Sequence, residues 1–149
     1  MTYPVPNTLT VAGRVFTDLD NLKILSFAVG GANGYCTVRE QNGTAGYTPS
    51  GSNKFRVLAI EYIVTVDDHL YLSQTSNDIG FTTPTPPTVT KEIAGAAEGS
   101  RIHYAGSTPA TTKREIIINF LIDNGAFITI LMPAGAGVFH GRVYGYEVP

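Results

Sequence analysis

The imidazole and thiol side chains that could bind a soft metal or act as base and nucleophile number four: His69, His103, His140 and Cys36. The three histidines lie in separate segments. No His-x-x-x-His or His-Glu-x-x-His spacing places two of them on one helix face, as a zinc site would need. Asp67-Asp68-His69 offers metal-ligand residue types but stands where two strands must be joined, so it reads as a solvated turn. Asp18-Leu19-Asp20-Asn21 opens like a calcium loop but lacks the glycine at the sixth position and the closing glutamate. A reactive Cys36 would need a nearby base and a cationic or helix-dipole setting. It lies in the strand-like run Tyr35-Cys36-Thr37-Val38 and reads as a buried thiol. No serine occupies a Gly-x-Ser-x-Gly elbow. The Gly30-Gly31-Ala32-Asn33-Gly34 run opens a strand, not a helix, so it reads as a turn and not as a phosphate cradle. The expectation is a chain with no catalytic centre, no metal and no cofactor.

Two weaker signals concern sugars. Asn42-Gly43-Thr44 matches a glycosylation acceptor, but Met1-Thr2-Tyr3-Pro4-Val5-Pro6 has neither the basic nor the apolar region of a secretory signal. Synthesis in the cytosol is the expectation. Tyr3, Tyr47, Tyr104, Tyr144 and Tyr146 are candidates for stacking on a sugar ring. The competing reading puts them in a core or interface, with the hydroxyl on a polar partner.

Ten basic residues against twelve acidic give a net charge of −2, which argues against a basic face for nucleic acid. Charged residues are 15% of the chain, against about 25% in an average globular domain. That shortage suggests that part of the surface does not face water. No apolar run approaches the roughly 20 residues of a membrane-spanning helix. A length of 149 residues with one cysteine points to one domain that folds without disulfides.

Short runs rich in Val, Ile, Thr, Phe and Tyr, broken by scattered Gly and Pro, predict strands over 22–29, 35–40, 55–66, 70–74, 101–104, 114–122, 126–132 and 138–148. A further short strand is possible within 8–16, and a single helical turn within 93–98. No alternation of strand and helix is present, so the fold class is all-β: a single antiparallel β-sandwich or jelly roll. The segment 55–66 extends about 40 Å against a domain diameter near 38 Å, so it crosses the whole domain or bends at a bulge. Its alternation assigns Leu58, Ile60, Tyr62, Val64 and Val66 to a core face and Phe55, Val57, Ala59, Glu61, Ile63 and Thr65 to a second, mixed face. Ile118 and Phe120 are expected to be buried with the core face.

Asn124-Gly125 within Asp123–Ala126 predicts a type I′ hairpin between 114–122 and 127–132. That register gives Ile116, Ile118, Phe120, Ile122, Phe127 and Leu131 on one face, and Ile117, Asn119, Leu121, Ile128, Ile130 and Met132 on the other. A loop of another length would regroup them. With two apolar faces, the second needs a cover. The candidates are another subunit, through Val57, Ile63, Ile117, Leu121, Ile128, Ile130 and Met132, or the N-terminal segment, through Val5, Leu9, Val11 and Val15. The proline-marked segments Met1–Thr10 and Thr82–Thr88 read as extended arms or mobile loops. The expected organisation is an extended N-terminal arm over 1–20, with a possible first strand, and a jelly-roll domain over 21–149 carrying a long Pro-rich loop.

Two stretches carry a resemblance. One is Gly46-Tyr47-Thr48-Pro49-Ser50-Gly51 followed by Lys54-Phe55-Arg56-Val57-Leu58-Ala59-Ile60. The other is Met132-Pro133-Ala134-Gly135-Ala136 followed by Gly141-Arg142-Val143-Tyr144-Gly145-Tyr146-Glu147. Together they resemble small jelly-roll proteins of tailed-phage virions, a group of trimeric head-decoration (cement) proteins and head-fibre or tail-tip jelly rolls. The resemblance spans roughly 47–148, with Pro49-Ser50-Gly51 where the family has Pro-Ala-Gly. It implies a structural virion protein, not an enzyme: a homotrimer on the outer capsid surface that binds the major capsid protein and clamps neighbouring capsomers. Tyr3, Pro4, Val5 and Pro6 would form its capsid-docking arm. The alternative within the family is a trimeric fibre or tail-tip module that recognises host glycans. No nucleic-acid or membrane partner is expected. A cupin-like enzyme would need clustered metal ligands, which three scattered histidines do not supply.

Overall fold

A computed structural model of the chain describes residues 7–30, 34–64, 69–79, 89–92, 101–103, 113–132 and 138–149. All regular structure among them is β: β1 (Leu9–Val11), β2 (Arg14–Phe16), β3 (Leu22–Gly30), β4 (Gly34–Thr37), β5 (Arg39–Glu40), β6 (Lys54–Val64), β7 (His69–Thr75), β8 (Val89–Glu92), β9 (Arg101–His103), β10 (Lys113–Ile122), β11 (Phe127–Met132) and β12 (Val138–Val148). The possible helical turn within 93–98 and the Thr82–Thr88 stretch lie outside the described residues.

The strands pair antiparallel throughout. The first large sheet has the order β10-β6-β12-β3-β5, and the second β4-β11-β7-β8, with β9 also on β7. One apolar core joins their facing sides. Leu25, Phe27, Phe55, Val57, Ile60, Tyr62, Ile118, Ile122 and Val143 of the first sheet share it with Cys36, Leu72, Ile128 and Ile130 of the second. Each large side chain withdrawn from water there is worth roughly 1.5–3 kcal/mol before entropy.

Glycines in β12 leave room for rings carried by the strands on either side of it in the same sheet. A Cβ at Gly141 would lie 2.8 Å from Phe27 Cζ, and one at Gly145 2.7 Å from Phe55 Cζ. The rings of the neighbouring strands therefore occupy the space that side chains on β12 would fill.

A β-bulge corrects the face assignment of β6. Tyr144 pairs with Ala59 and Gly145 with Val57, which leaves Leu58 as the extra residue. The alternation inverts across it: Phe55 and Val57 before the bulge, and Ile60 and Tyr62 after it, all enter the core. A strict period of two cannot cross an inserted residue. Val57 is thus a core residue, not a surface one, and Leu58 is half-buried on the opposite side.

The expected hairpin at Asn124-Gly125 is not formed. β10 belongs to the first sheet and β11 to the second, so Asp123–Ala126 carries the chain from one layer to the other. Ala126 N donates to Asp123 O at 3.2 Å, and Gly125 takes φ 79°. Asn124 is not among the positive-φ residues, which gives a type II turn where type I′ was expected. The Asn124 amide donates to the carbonyls of Gly51 and Asn53 at 2.7 and 2.8 Å, so a neighbouring turn sets its conformation. Because the two strands part, Ile128 and Ile130 face the core, at 1% and 0% exposure, while Ile117 faces outward at 52%. The face that grouped them does not exist.

Within the N-terminal segment, where a first strand was one expectation, two short strands form. β1 and β2 form a hairpin around Ala12 (φ 55°) and Gly13 (φ 81°), the two positive values of a type I′ turn. Val11 and Phe16 pack with Ala59 and Tyr144 on the outward side of the first sheet, bordered by Leu9, Leu22, Ile24 and Tyr146. Phe16 and Tyr144 stack with centroids 6.1 Å apart. Val15 points away, 58% exposed. Tyr3, Pro4, Val5 and Pro6 lie outside the described residues.

The outward side of the second sheet is polar and yet buried. Thr129 Oγ1 lies 3.4 Å from Thr37 Oγ1 and 2.9 Å from Thr75 Oγ1. The chain after β7 folds back over them, with Ile79 N donating to Thr37 Oγ1 at 3.0 Å and Asp78 Oδ2 accepting from Gly46 N at 2.7 Å. Buried hydroxyls are tolerated there because they satisfy one another.

Candidate functional site

The hairpin covers only part of the first sheet's outward side. Beyond it, cross-strand register builds a row of charged and small residues. Glu115 of β10 stands opposite Glu61 of β6, Glu61 opposite Arg142 of β12, Arg142 opposite Ser26 of β3, and Ser26 opposite Arg39 of β5. The adjoining row is Lys113, Ile63, His140 and Ala28. Ser26 and Ala28 are short, and the residues on either side are long. The turn after β5 adds Gln41 and Asn42 to the rim, and the whole forms a groove of about 510 Å³. Sites for small ligands usually measure roughly 300–1,000 Å³.

Glu61 anchors the groove. It is 9% exposed, and a carboxylate so placed must be paired. The Tyr144 hydroxyl donates to its Oε1. Lys113 Nζ lies 3.3 Å from Oε2, and Arg142 Nη1 lies 3.6 Å from Oε1. Burial, then the bond to Glu61, pushes the Tyr144 hydroxyl up to about 12. Lys113 also reaches Glu115 Oε1 at 3.2 Å, and Glu115 together with Glu61 holds its ammonium above the ordinary lysine range. Glu115 in turn accepts from Ala12 N at 3.0 Å. That bond, followed by Lys113, keeps its carboxyl below the usual range and ties the hairpin turn to the edge of the groove. On the far side Arg39 Nη1 donates to Gly43 O at 3.3 Å.

A smaller depression lies near the turn that precedes β6. Ser50 donates to Glu147 Oε1 through its amide at 2.5 Å and its hydroxyl at 2.9 Å. Lys23 Nζ bonds Glu40 at 2.6 Å and lies 3.9 Å from Glu147. Burial raises the Glu147 carboxyl, but the Ser50 bonds and Lys23 outweigh it and hold it below the usual range. Tyr47 is buried beside it against Phe55, and burial followed by the Glu147 charge pushes its hydroxyl up. The two stretches that carry the family resemblance therefore touch, through Ser50 and Glu147. These contacts fix the turn in front of the long strand and leave no evident reacting group.

The residues singled out in the sequence are dispersed. Of the proposed subunit interface, Val57, Ile128 and Ile130 are core, Ile63 and Leu121 are half-buried, and Ile117 is exposed. Met132 lies in β11. Cys36 is buried, and burial pushes its thiol up to about 11. Tyr47 and Tyr144 are buried and offer no stacking platform, and Tyr146 is half-buried with its hydroxyl donating to Asp18 O at 3.1 Å. Asn21 Nδ2 donates to both carboxylate oxygens of Asp18. Register places His69 opposite His103, while His140 lines the groove on the other sheet. Among the described residues no group of three or more His, Cys, Asp or Glu side chains is gathered for a metal ion.

Sequence reasoning missed the groove. Its one local signal was Glu61, a carboxylate in the otherwise apolar run 57–64. The other strand residues that line the groove come from β3, β5, β10 and β12, and only the register brings them together. The arrangement can bind through charge and hydrogen bonds. Compared with models of protein families, with curated proteins and with solved structures, the chain has no match in any of the three.

Proposed function

We propose that this chain is a jelly-roll structural protein of a tailed-phage virion: a decoration protein that trimerises on the outer surface of the head and binds the major capsid protein. The strand order is the observation that carries the reading. Set aside the β1–β2 hairpin and β5, and take β8 and β9 together as the strand that borders β7. Eight strand positions then remain in chain order. The first sheet holds the first, eighth, third and sixth, and the second holds the second, seventh, fourth and fifth. That interleaving supports two Greek keys wound into a jelly roll. The contact between Ser50 and Glu147 supports the same reading, because it joins the two stretches that resemble the family.

In this role the protein works by buried area. A permanent assembly interface runs to about 2,000 Å² or more. The edge strand β10, with Ile117 and Leu121, offers apolar contact for it. Light scattering of the purified chain and cosedimentation with undecorated phage heads test the proposal. A trimer that sediments with heads is the expected outcome; a monomer that stays in the supernatant overturns it.

The groove favours a second reading, in which the same jelly roll is a fibre or tail-tip module that recognises a host glycan. A concave polar surface on a rigid sheet suits a ligand of many hydroxyls.

A further inference from the structure

We propose that the groove on the outward face of the first sheet binds an acidic saccharide, with the sugar carboxylate held between Arg142 and Arg39 and the ring hydroxyls on Glu61, Gln41 and Asn42. The inference rests on the glycan-recognition reading and adds the ligand class and the residues. Its first support is charge. Three cationic side chains, Arg39, Lys113 and Arg142, line the groove against Glu61, with Glu115 beside Lys113 at its edge, in a chain whose net charge is −2. The second support is where that charge lies. Lys113 is engaged by Glu61 and Glu115 at the β10 end. Arg142 lies 3.6 Å from Glu61 and bonds the Tyr144 hydroxyl, with its side chain still 53% exposed. Arg39 is steadied by the Gly43 carbonyl.

Two strand spacings, about 10 Å, separate the backbones that carry Arg142 and Arg39, and only the short side chain of Ser26 stands between them in the row. Guanidinium groups on both sides of a shallow floor match the charge and the planar shape of a carboxylate. Glu61 argues for hydroxyls beside that carboxylate. A fixed buried carboxylate repels a second anion but accepts hydrogen bonds from sugar O–H groups. The rim amides of Gln41 and Asn42 can donate or accept. A phosphate-rich polymer would meet Glu61 and Glu115 at the same surface, and a neutral sugar would leave the two guanidiniums without a ligand charge.

Isothermal titration and ligand-observed NMR test this on the full chain. The probes are trigalacturonic acid with its methyl ester, and sialyllactose with lactose, at up to about 10 mM to reach millimolar affinity. At least one acid is expected to bind at least tenfold more tightly than its neutral counterpart. Arg142→Gln is expected to remove that preference without moving the thermal unfolding midpoint. If Arg142→Gln does not fold, Arg142→Lys keeps the charge, loses the planar guanidinium and should still weaken the acid severalfold. Equal binding of acid and neutral counterpart overturns the acidic class and leaves glycan recognition standing. Inorganic phosphate displacing the sugar at equal concentration overturns the saccharide assignment, and so does an acid preference unchanged by either variant. No binding of any probe overturns both this inference and the glycan reading.

Discussion

Gly145 is a residue whose absent side chain matters more than most present ones. A Cβ there would sit 2.1 Å from the Arg56 carbonyl oxygen as well as against the Phe55 ring. The carbonyl belongs to a paired strand and cannot turn away, so Gly145→Ala must push β6 and β12 apart. Overpacking of this kind costs about 1–3 kcal/mol or more, and urea unfolding should show at least that loss with the fold retained. Cys36 yields a second prediction at this scale. Burial lifts its folded thiol to about 11, from 9.0 as the ordinary value. A raised folded pKa contributes stability that is whole below the unfolded value and is lost as pH climbs through the folded one. Between pH 9 and 11 the native chain should therefore lose on the order of 2–3 kcal/mol from this group, and Cys36→Ala should flatten that slope in unfolding titrations. At pH 8 a disulfide-exchange reagent should label Cys36 only in denaturant. The strand-like run around Cys36 was enough to read it as a buried thiol. The role of Gly145 was not readable, because the atoms it avoids belong to residues about ninety positions away.

Elements were easier to find than their partners. Alternating apolar residues marked β3, β6, β7, β10, β11 and β12 to within a residue or two, since period and β-branching are local properties. Which strand lies beside which is not local. Asn124-Gly125 looked like a hairpin, yet tertiary contacts from Gly51 and Asn53 hold the turn in another conformation and β10 and β11 enter different sheets. Leu58 inverted the faces of β6 for a similar reason: a bulge is visible only against a partner strand. The β1–β2 hairpin is the N-terminal cover that the sequence offers as one of two alternatives, and it seals Ala59 and Tyr144. Phe16, 2% exposed, is its anchor. Phe16→Ala should cost about 3–5 kcal/mol if the hairpin stays docked, and less if it detaches. Limited proteolysis separates the cases: a detached hairpin would be cut near Ala12-Gly13 while the two large sheets resist. A variant with native stability and native resistance would show that the hairpin does not rest on this ring.

At the scale of the molecule, the case for self-association now rests on less surface than the sequence implied, and on a different place. Seven apolar side chains had been read as one exposed face. Three of them, Val57, Ile128 and Ile130, belong to the common core, and the outward side of β6 and β12 is partly sealed by the chain's own hairpin. What remains is β10, an end strand in the order of its sheet among the described residues, with Ile117 52% exposed. A long sheet edge bearing a large apolar side chain is a ready template for a second strand unless charge or a bulge blocks it. Against β6 the register of β10 is irregular between Ile117 and Phe120. The two positions Ile130 and Ile117 therefore separate folding from assembly. Ile130→Asp puts an unpaired charge into the core and should abolish cooperative unfolding and leave aggregated chain, whatever the oligomeric state. Ile117 lies outside both apolar clusters and is half exposed, so Ile117→Asp should change the unfolding free energy by less than about 0.5 kcal/mol. If subunits meet along β10, Ile117→Asp should convert the oligomer to monomer in light scattering with the circular dichroism spectrum unchanged. An Ile117→Asp protein that keeps both its fold and its oligomeric mass would remove β10 from the interface.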